Sequence, residues 1–285
     1  KLKRYNPLQL ERVIALELER IAVHLGDTAA LCGDIAYQLG QVVCESLRTV
    51  IINTTQYWCG NRFGKGFIRP GGTHYPMSER EATEILKNIE SVERRFEEMA
   101  AHLYSMPGAL SRFDGIGTVT HSQGIHAGLT GMAARMTGIE RDIRASHPFQ
   151  YFANLTYEPV TFSSGDVLAR ALMRRVEIHA SIELIRDLIS KWRNIYETAD
   201  IHLPKPNYTI ALQAGRMTVS MVEGWRGEIV HVAVTDENGV IANYKVKDPS
   251  LHNWFGLALA VRNQQISDFP VCNKSFNLSY CGYDL

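Results

Sequence analysis

A chain of 285 residues is long enough for one large domain or two modest ones, with a sizeable buried core. Thirty basic and thirty acidic side chains give a formal net charge of zero, which removes any bulk electrostatic case for nucleic-acid binding. An apolar fraction of 45% is that of a soluble globule, and no apolar run reaches the roughly 18–20 residues that a membrane span requires.

The cysteines Cys32, Cys44, Cys59, Cys272 and Cys281 form no C-x-x-C pair, and with no export signal visible they are expected to be reduced thiols. The chain opens at Lys1 rather than Met, so a fragment lacking its N-terminal segment is expected.

Residues 8–58 read as one or two long helices. The segment ELERIAVHLGDTAALCGDIAYQLG (17–40) is proline-free and apolar on most sides, yet Arg20, His24, Asp27, Asp34 and Gln38 recur at spacings of 4, 3, 7 and 4. On a helix of 3.6 residues per turn these fall on one narrow stripe. About half a turn away, Ala22, Gly26, Ala29, Gly33, Ala36 and Gly40 form a row of small residues. Each mid-helix glycine costs roughly 1 kcal/mol against alanine, so the row implies a compensating close contact. The reading is a helix buried on most sides whose ionisable stripe faces an internal cleft; an ordinary exposed polar face is the alternative.

The loop GNRFGKGFIRPGGTHYPM (60–77) follows. Ser78-Glu79-Arg80-Glu81 is a capping box that starts a helix whose apolar side is Ile85, Ile89, Val92, Phe96, Met99 and Leu103, ended by Met106-Pro107-Gly108. Residues 109–150 are glycine-rich and broken, with a turn at Asp114-Gly115. A strong helix spans 165–196, with Asp166 as its expected N-cap. After Pro204 and Pro206, EIVHVAVTD (228–236) and VIANYKVKD (240–248) read as a β-hairpin across an Asn-Gly turn. A short helix near 253–262 and an irregular tail complete the chain.

Several motifs are excluded. GNRFGKG has three residues rather than four between Gly60 and Gly64, and Gly66 stands where a phosphate loop needs Ser or Thr. No G-x-G-x-x-G follows a strand. His121 and His126 lie five apart, on different helix faces, and no H-E-x-x-H or G-x-S-x-G occurs.

Six blocks in order, ELERIAVHLGD…CGDIAY, FIRPGG, GLTGMAARMTGIERDIRASHPF, SSGDVLARALMRRVEI, VEGWRGEIVH and DFPVCNKSFNLSYCGYDL, cover nearly the whole chain. Together they resemble the D-type subunit of NADH–quinone oxidoreductase (respiratory complex I) and the related large subunit of energy-converting nickel–iron hydrogenases. The resemblance implies a mainly α, hydrogenase-large-subunit-like helical bundle over 1–200. The small β-hairpin element, C-terminal helix and tail (201–285) would pack on the same core. It implies an iron–sulfur subunit and membrane-arm subunits as partners, on the cytoplasmic side of the inner membrane, with no span of its own. It also implies iron–sulfur clusters and NADH in partner subunits, no cofactor held by this chain alone, and quinone as the candidate ligand.

The resemblance places Asp34 near a quinone headgroup pocket, where the family aspartate orients a histidine from an upstream segment. Asp34 and His24 are the candidate catalytic residues, and Arg20, Asp27, Arg69, Ser275, Cys281 and Asp284 the candidate lining of a vestigial cavity. Arg69 matches the family RPGG turn and is read as architectural. Arg135, Asp142 and Arg144 match a family run; with Asp142 and Arg144 two apart, each is expected to find a partner elsewhere. Arg170 and Arg174 are read as facing a partner or cleft, or as salt-bridged core arginines. In the tail, Ser279 and Gly282 stand where a hydrogenase carries its second cysteine pair, and Cys281 is one place off. A nickel–iron centre needs four thiolates, so no nickel and no hydrogen chemistry are expected. The expected role is a non-metallated subunit of an NADH–quinone oxidoreductase or hydrogenase-related complex, inactive alone. A ligand-free structural or coupling subunit is the alternative, and an active hydrogenase a remote one.

Overall fold

The computed structural model describes residues 7–70, 72–155, 157–196 and 211–283. Helices α1 (Pro7–Asp34) and α2 (Gln38–Cys59) lead into a small hairpin, β1 (Ile68–Arg69) and β2 (Gly72–Thr73). Next come α3 (Glu79–Leu103), α4 (Pro107–Phe113), α5 (His121–Ala127), α6 (Gly131–Arg135) and α7 (Ile143–Ser146). The long α8 (Val167–Tyr196) precedes strands β3 (Met217–Glu223), β4 (Glu228–Thr235) and β5 (Ile241–Lys247), and the chain ends in α9 (Ser250–Ala260), α10 (Phe269–Phe276) and α11 (Tyr280–Tyr283). The architecture is mainly α. Two compact units divide it, one from 1–112 with 174–206, the other from 113–173 with 207–285.

In the first unit, 17–40 is not one helix. α1 stops at Asp34 because Ala36 turns left-handed (φ 59°), with Ala36 N donating to Gly33 O and Tyr37 N to Cys32 O. A left-handed alanine costs roughly 1–2 kcal/mol, so packing around the turn sustains it: Tyr37 stacks on His102 and its hydroxyl meets Nδ1 at 3.0 Å. Gln38 therefore belongs to α2 and leaves the stripe. The small-residue row does receive a close neighbour, the returning α2. A Cβ at Gly26 would stand 3.0 Å from Arg48 Cδ, and one at Gly33 3.1 Å from Gln41 Oε1.

The capping box of α3 forms as its sequence requires: Ser78 N donates to Glu81, and the Ser78 hydroxyl accepts from the first turn. Ile85, Ile89, Val92, Phe96, Met99 and Leu103 are all buried. The opposite face is only partly solvated, because Glu93 and Glu97 pair with Arg175, His179 and Arg186 on α8. Glu11, fully buried on α1, ties three segments together by accepting from Thr73 Oγ1, Met77 N and Trp192 Nε1.

In the second unit the broken stretch after Phe113 becomes short helices joined by glycine turns. Asp166 caps α8 as expected: Oδ1 accepts from Ala169 N at 2.8 Å, while Oδ2 accepts from Gly115 N. The expected hairpin is β4 and β5, with Gly239 at φ 76° and Asp236 Oδ1 accepting from Asn238 N and Val240 N. A third strand, β3, pairs antiparallel on the other side of β4, with Val219 opposite Val232. The tail is helical rather than irregular. Pro270 sits in the first turn of α10, where a missing N–H costs nothing, and Asn277 ends that helix at φ 47°.

Candidate functional site

The ionisable stripe of α1 is completed by a matching stripe on α8. Arg174, Glu177 and Ser181 follow one another at spacings of 3 and 4, and they meet α1 in antiparallel order. Ser181 Oγ donates to Glu17 Oε2 at 2.6 Å, and Arg20 Nε donates to the same oxygen at 3.0 Å. His24 Nε2 lies 2.6 Å from Glu177 Oε2, with Arg20 Nη1 4.0 Å from that carboxylate. One turn on, Arg174 Nε donates to Asp27 Oδ2 at 3.1 Å. All seven side chains are buried, His24 fully.

Desolvating charges this deeply costs several kcal/mol per ion, and the pairs must offset it. Burial, opposed by the hydrogen bond and charge of Glu177, holds His24 below the ordinary imidazole range. The ring is therefore neutral near pH 7, with its one proton on Nε2 toward Glu177. Nδ1 is then a bare acceptor, and it has no hydrogen-bond partner among the described residues.

Asp34 differs from the rest of its stripe: it is exposed. It stands in the last turn of α1, where the helix dipole disfavours an anion by about 0.3–1 kcal/mol. Three residues on, Tyr37 pairs with His102, and the first two turns of α2 carry two exposed apolar side chains, Leu39 and Val42. Arg69 is half-buried and donates from Nε to Thr73 O at 3.0 Å, which fastens its own hairpin and agrees with an architectural part. The structure thus gathers Arg20, His24 and Asp27 into one seam and leaves Asp34 at that helix's open end.

The tail residues belong to the second unit. Ser275 is buried, accepting from Arg170 Nε at 2.7 Å and donating to Cys272 O at 2.6 Å. Arg170 also donates to Gly117 O and Gly165 O and lies 4.3 Å over the Phe276 ring, so oxygen atoms and a π-face solvate its guanidinium. Cys281 is exposed on α11. Asp284 lies outside the described residues. A four-thiolate centre does not fit this donor set: Cys272 is buried beside the Arg170–Ser275 contact, and Cys281 faces solvent. Among the described residues no three His, Cys, Asp or Glu side chains gather as metal ligands.

The expectation that Asp142 and Arg144 would not pair is overturned. Arg144 Nη2 meets Asp142 Oδ2 at 2.7 Å and Nε meets Oδ1 at 3.0 Å. Asp142 is the extended N-cap of α7 (φ −149°) rather than a helical residue, so the two-residue helix geometry does not apply. Glu223 from β3 adjoins them, accepting from Ile143 N, and burial and the Asp142 charge push its carboxyl up. Arg170 and Arg174 are both fully buried, and each sits in a different unit.

Sequence reasoning missed Glu17, Glu177, Ser181, Tyr37 and His102. The 4-3-4 spacing of Arg170, Arg174, Glu177 and Ser181 on an otherwise apolar helix was an available signal, the same one that marked α1.

Against known proteins, residues 34–284 match the family described as respiratory-chain NADH dehydrogenase, 49 kDa subunit. The chain is 27% identical over 277 residues to NADH-quinone oxidoreductase subunit 4 of Thermus thermophilus, covering 90% of this chain and 68% of that one. It is 26% identical over 270 residues to the carbon monoxide-induced hydrogenase of Rhodospirillum rubrum, covering 94% and 73%. A chain in the structure of the membrane-bound sulfane sulfur reductase, an archaeal respiratory membrane complex, superposes with a TM-score of 0.85 at 19% identity. That superposition covers 99% of this chain and 76% of the other, and it shows a shared fold.

Proposed function

The chain belongs to the family of the 49 kDa subunit of respiratory-chain NADH dehydrogenase, and from that premise we propose that it handles a quinone within a membrane-associated oxidoreductase complex. Its relatives are subunits of NADH-quinone oxidoreductases, together with a hydrogenase. Among the described residues no helix is long and apolar enough to cross a membrane. In this reading the chain is a peripheral subunit on the cytoplasmic side, docked against an iron–sulfur subunit and the membrane arm. NADH oxidation belongs to other subunits, and electrons reach the quinone from the iron–sulfur partner.

The observation that carries this reading is the exposed carboxylate of Asp34 at the open end of a helix whose other stripe residues are buried. Reducing a quinone to a quinol consumes two electrons and two protons. In this reading Asp34 passes a proton at the headgroup, and the Tyr37 hydroxyl paired with His102, together with the exposed Leu39 and Val42 at the start of α2, supports it as polar and apolar surface for a ring or tail. The thiol donors do not suit nickel, so no step involving hydrogen is assigned.

The test is a thermal-shift titration of the intact complex with a water-soluble quinone analogue. Protection in the wild type that is lost in Asp34→Ala is the expected result. No protection at any concentration would favour a ligand-free structural or coupling subunit.

A further inference from the structure

The buried seam contains more than is needed to hold two helices together. Hydrophobic residues of similar volume commonly stabilise a helix interface as well as or better than buried ion pairs. Here Glu17, Arg20, His24 and Asp27 of α1 face Arg174, Glu177 and Ser181 of α8, with the Tyr104 phenol near Arg174 at the end of α3. The named groups carry three formal negative charges and two formal positive ones. One proton on the imidazole brings them into balance. The acceptor for that proton is Nδ1 of a fully buried ring, without a hydrogen-bond partner among the described residues, while Nε2 already holds Glu177 at 2.6 Å.

We propose that His24 and Glu177, flanked by Arg20 and the Arg174–Asp27 bridge, form a loading site for a single proton inside the α1/α8 seam. In the loading step a hydronium ion gives one proton to Nδ1, water leaves, and the imidazolium stays hydrogen-bonded to the Glu177 carboxylate. No electron moves within the chain. The step raises the local charge by one and so compensates an electron arriving in a neighbouring redox group. Because His24 is fully buried, the proton reaches it only through local opening of the seam, which keeps exchange with bulk water slow. The link to electron arrival rests on the functional reading above; the existence of the proton site does not.

The experiment is histidine C2 hydrogen–deuterium exchange, read by mass spectrometry on the assembled complex in oxidised and chemically reduced forms from about pH 5 to pH 9. His24 is expected to show a titration midpoint at least one pH unit higher in the reduced complex, a tenfold gain in proton affinity. Glu177→Gln should abolish that difference. Identical His24 midpoints in the two redox states would overturn the proposal. Proton uptake followed with a pH-indicator dye gives a second readout that needs no quinone: near the His24 midpoint, His24→Gln should take up at least about half a proton fewer per chain than wild type on reduction. If that variant fails to assemble, the wild-type exchange curves decide alone. Loss of quinone protection with the His24 shift intact would sink only the quinone reading, and the converse result only the proton site.

Discussion

Helix α8 makes histidine–glutamate contacts on two opposite sides, and burial separates them. Inward, Glu177 meets His24 at 2.6 Å with side chains 3% and 0% exposed. Outward, His179 meets Glu97 at 2.7 Å with both side chains about one-third exposed, and it meets Glu93 at 3.2 Å. The distances are nearly equal; the surroundings are not. On the outer side water and neighbouring arginines share the charge, and Glu93 ends below the usual carboxylate range because Arg186 and His179 outweigh its partial burial. On the inner side the same pair is a fixed number of charges in a low-dielectric seam, where every proton counts. The lesson is that contact geometry does not distinguish a buried ion pair from a surface one; desolvation does.

The largest expected break in this comparison comes from removing a partner. Glu177→Ala leaves Arg20 and His24 facing each other in the seam and is expected to cost about 3–5 kcal/mol in denaturant unfolding. Glu97→Ala on the outer side is expected to cost less than about 1 kcal/mol. Equal losses would show that burial is not what separates the two pairs.

A second buried acid of α1 sharpens the point through pH. Glu11 accepts only neutral donors, and burial raises its carboxyl from 4.5 to about 7, against the hydrogen bonds from Thr73, Met77 and Trp192. The folded state therefore holds this proton more tightly than the unfolded chain. The resulting stability is complete below about pH 4.5 and is lost as pH rises toward 7, a change of about 3 kcal/mol. Glu11→Gln keeps an acceptor for Met77 and Trp192 and should flatten that part of the stability–pH curve. An unchanged slope in the variant would place the titration elsewhere.

The smallest effect is salt. The outer network of Glu93, Glu97, Arg175, His179 and Arg186 should weaken by a few tenths of a kcal/mol between low and physiological ionic strength, whereas the inner pairs should not respond. Double-mutant cycles, His24 with Glu177 against His179 with Glu97, measure both couplings at two salt concentrations.

What the sequence displays is whatever depends on near neighbours in the chain. Ser78 and Glu81 announced the start of α3, Asp166 the start of α8, and Asn238-Gly239 the β4–β5 turn, because caps and turns are local chemistry. The blocks around FIRPGG and GIERDIR carried the family. The end of α1 was hidden because its left-handed residue is Ala36 rather than a glycine, so no turn signal stood there. β3 was hidden because MTVSMVE is mostly exposed and its pairing with β4 supplies the order. The Asp142–Arg144 pair was hidden because helix spacing was applied to a residue that caps a helix. For the site, Arg20, His24 and Asp27 were legible as a stripe on α1, but Glu177 lies 153 residues from His24, and no local pattern joins them.

The central claim, that Asp34 presents its carboxylate to a quinone at the open end of α1, is tested most directly by photo-crosslinking an azido-quinone to the assembled complex and mapping the labelled peptides. The account predicts label between Gly33 and Val42, displaced by excess unmodified quinone and lost in Asp34→Asn. Label confined to other subunits, with these residues unmodified and the variant turning over quinone at the wild-type rate, would contradict it.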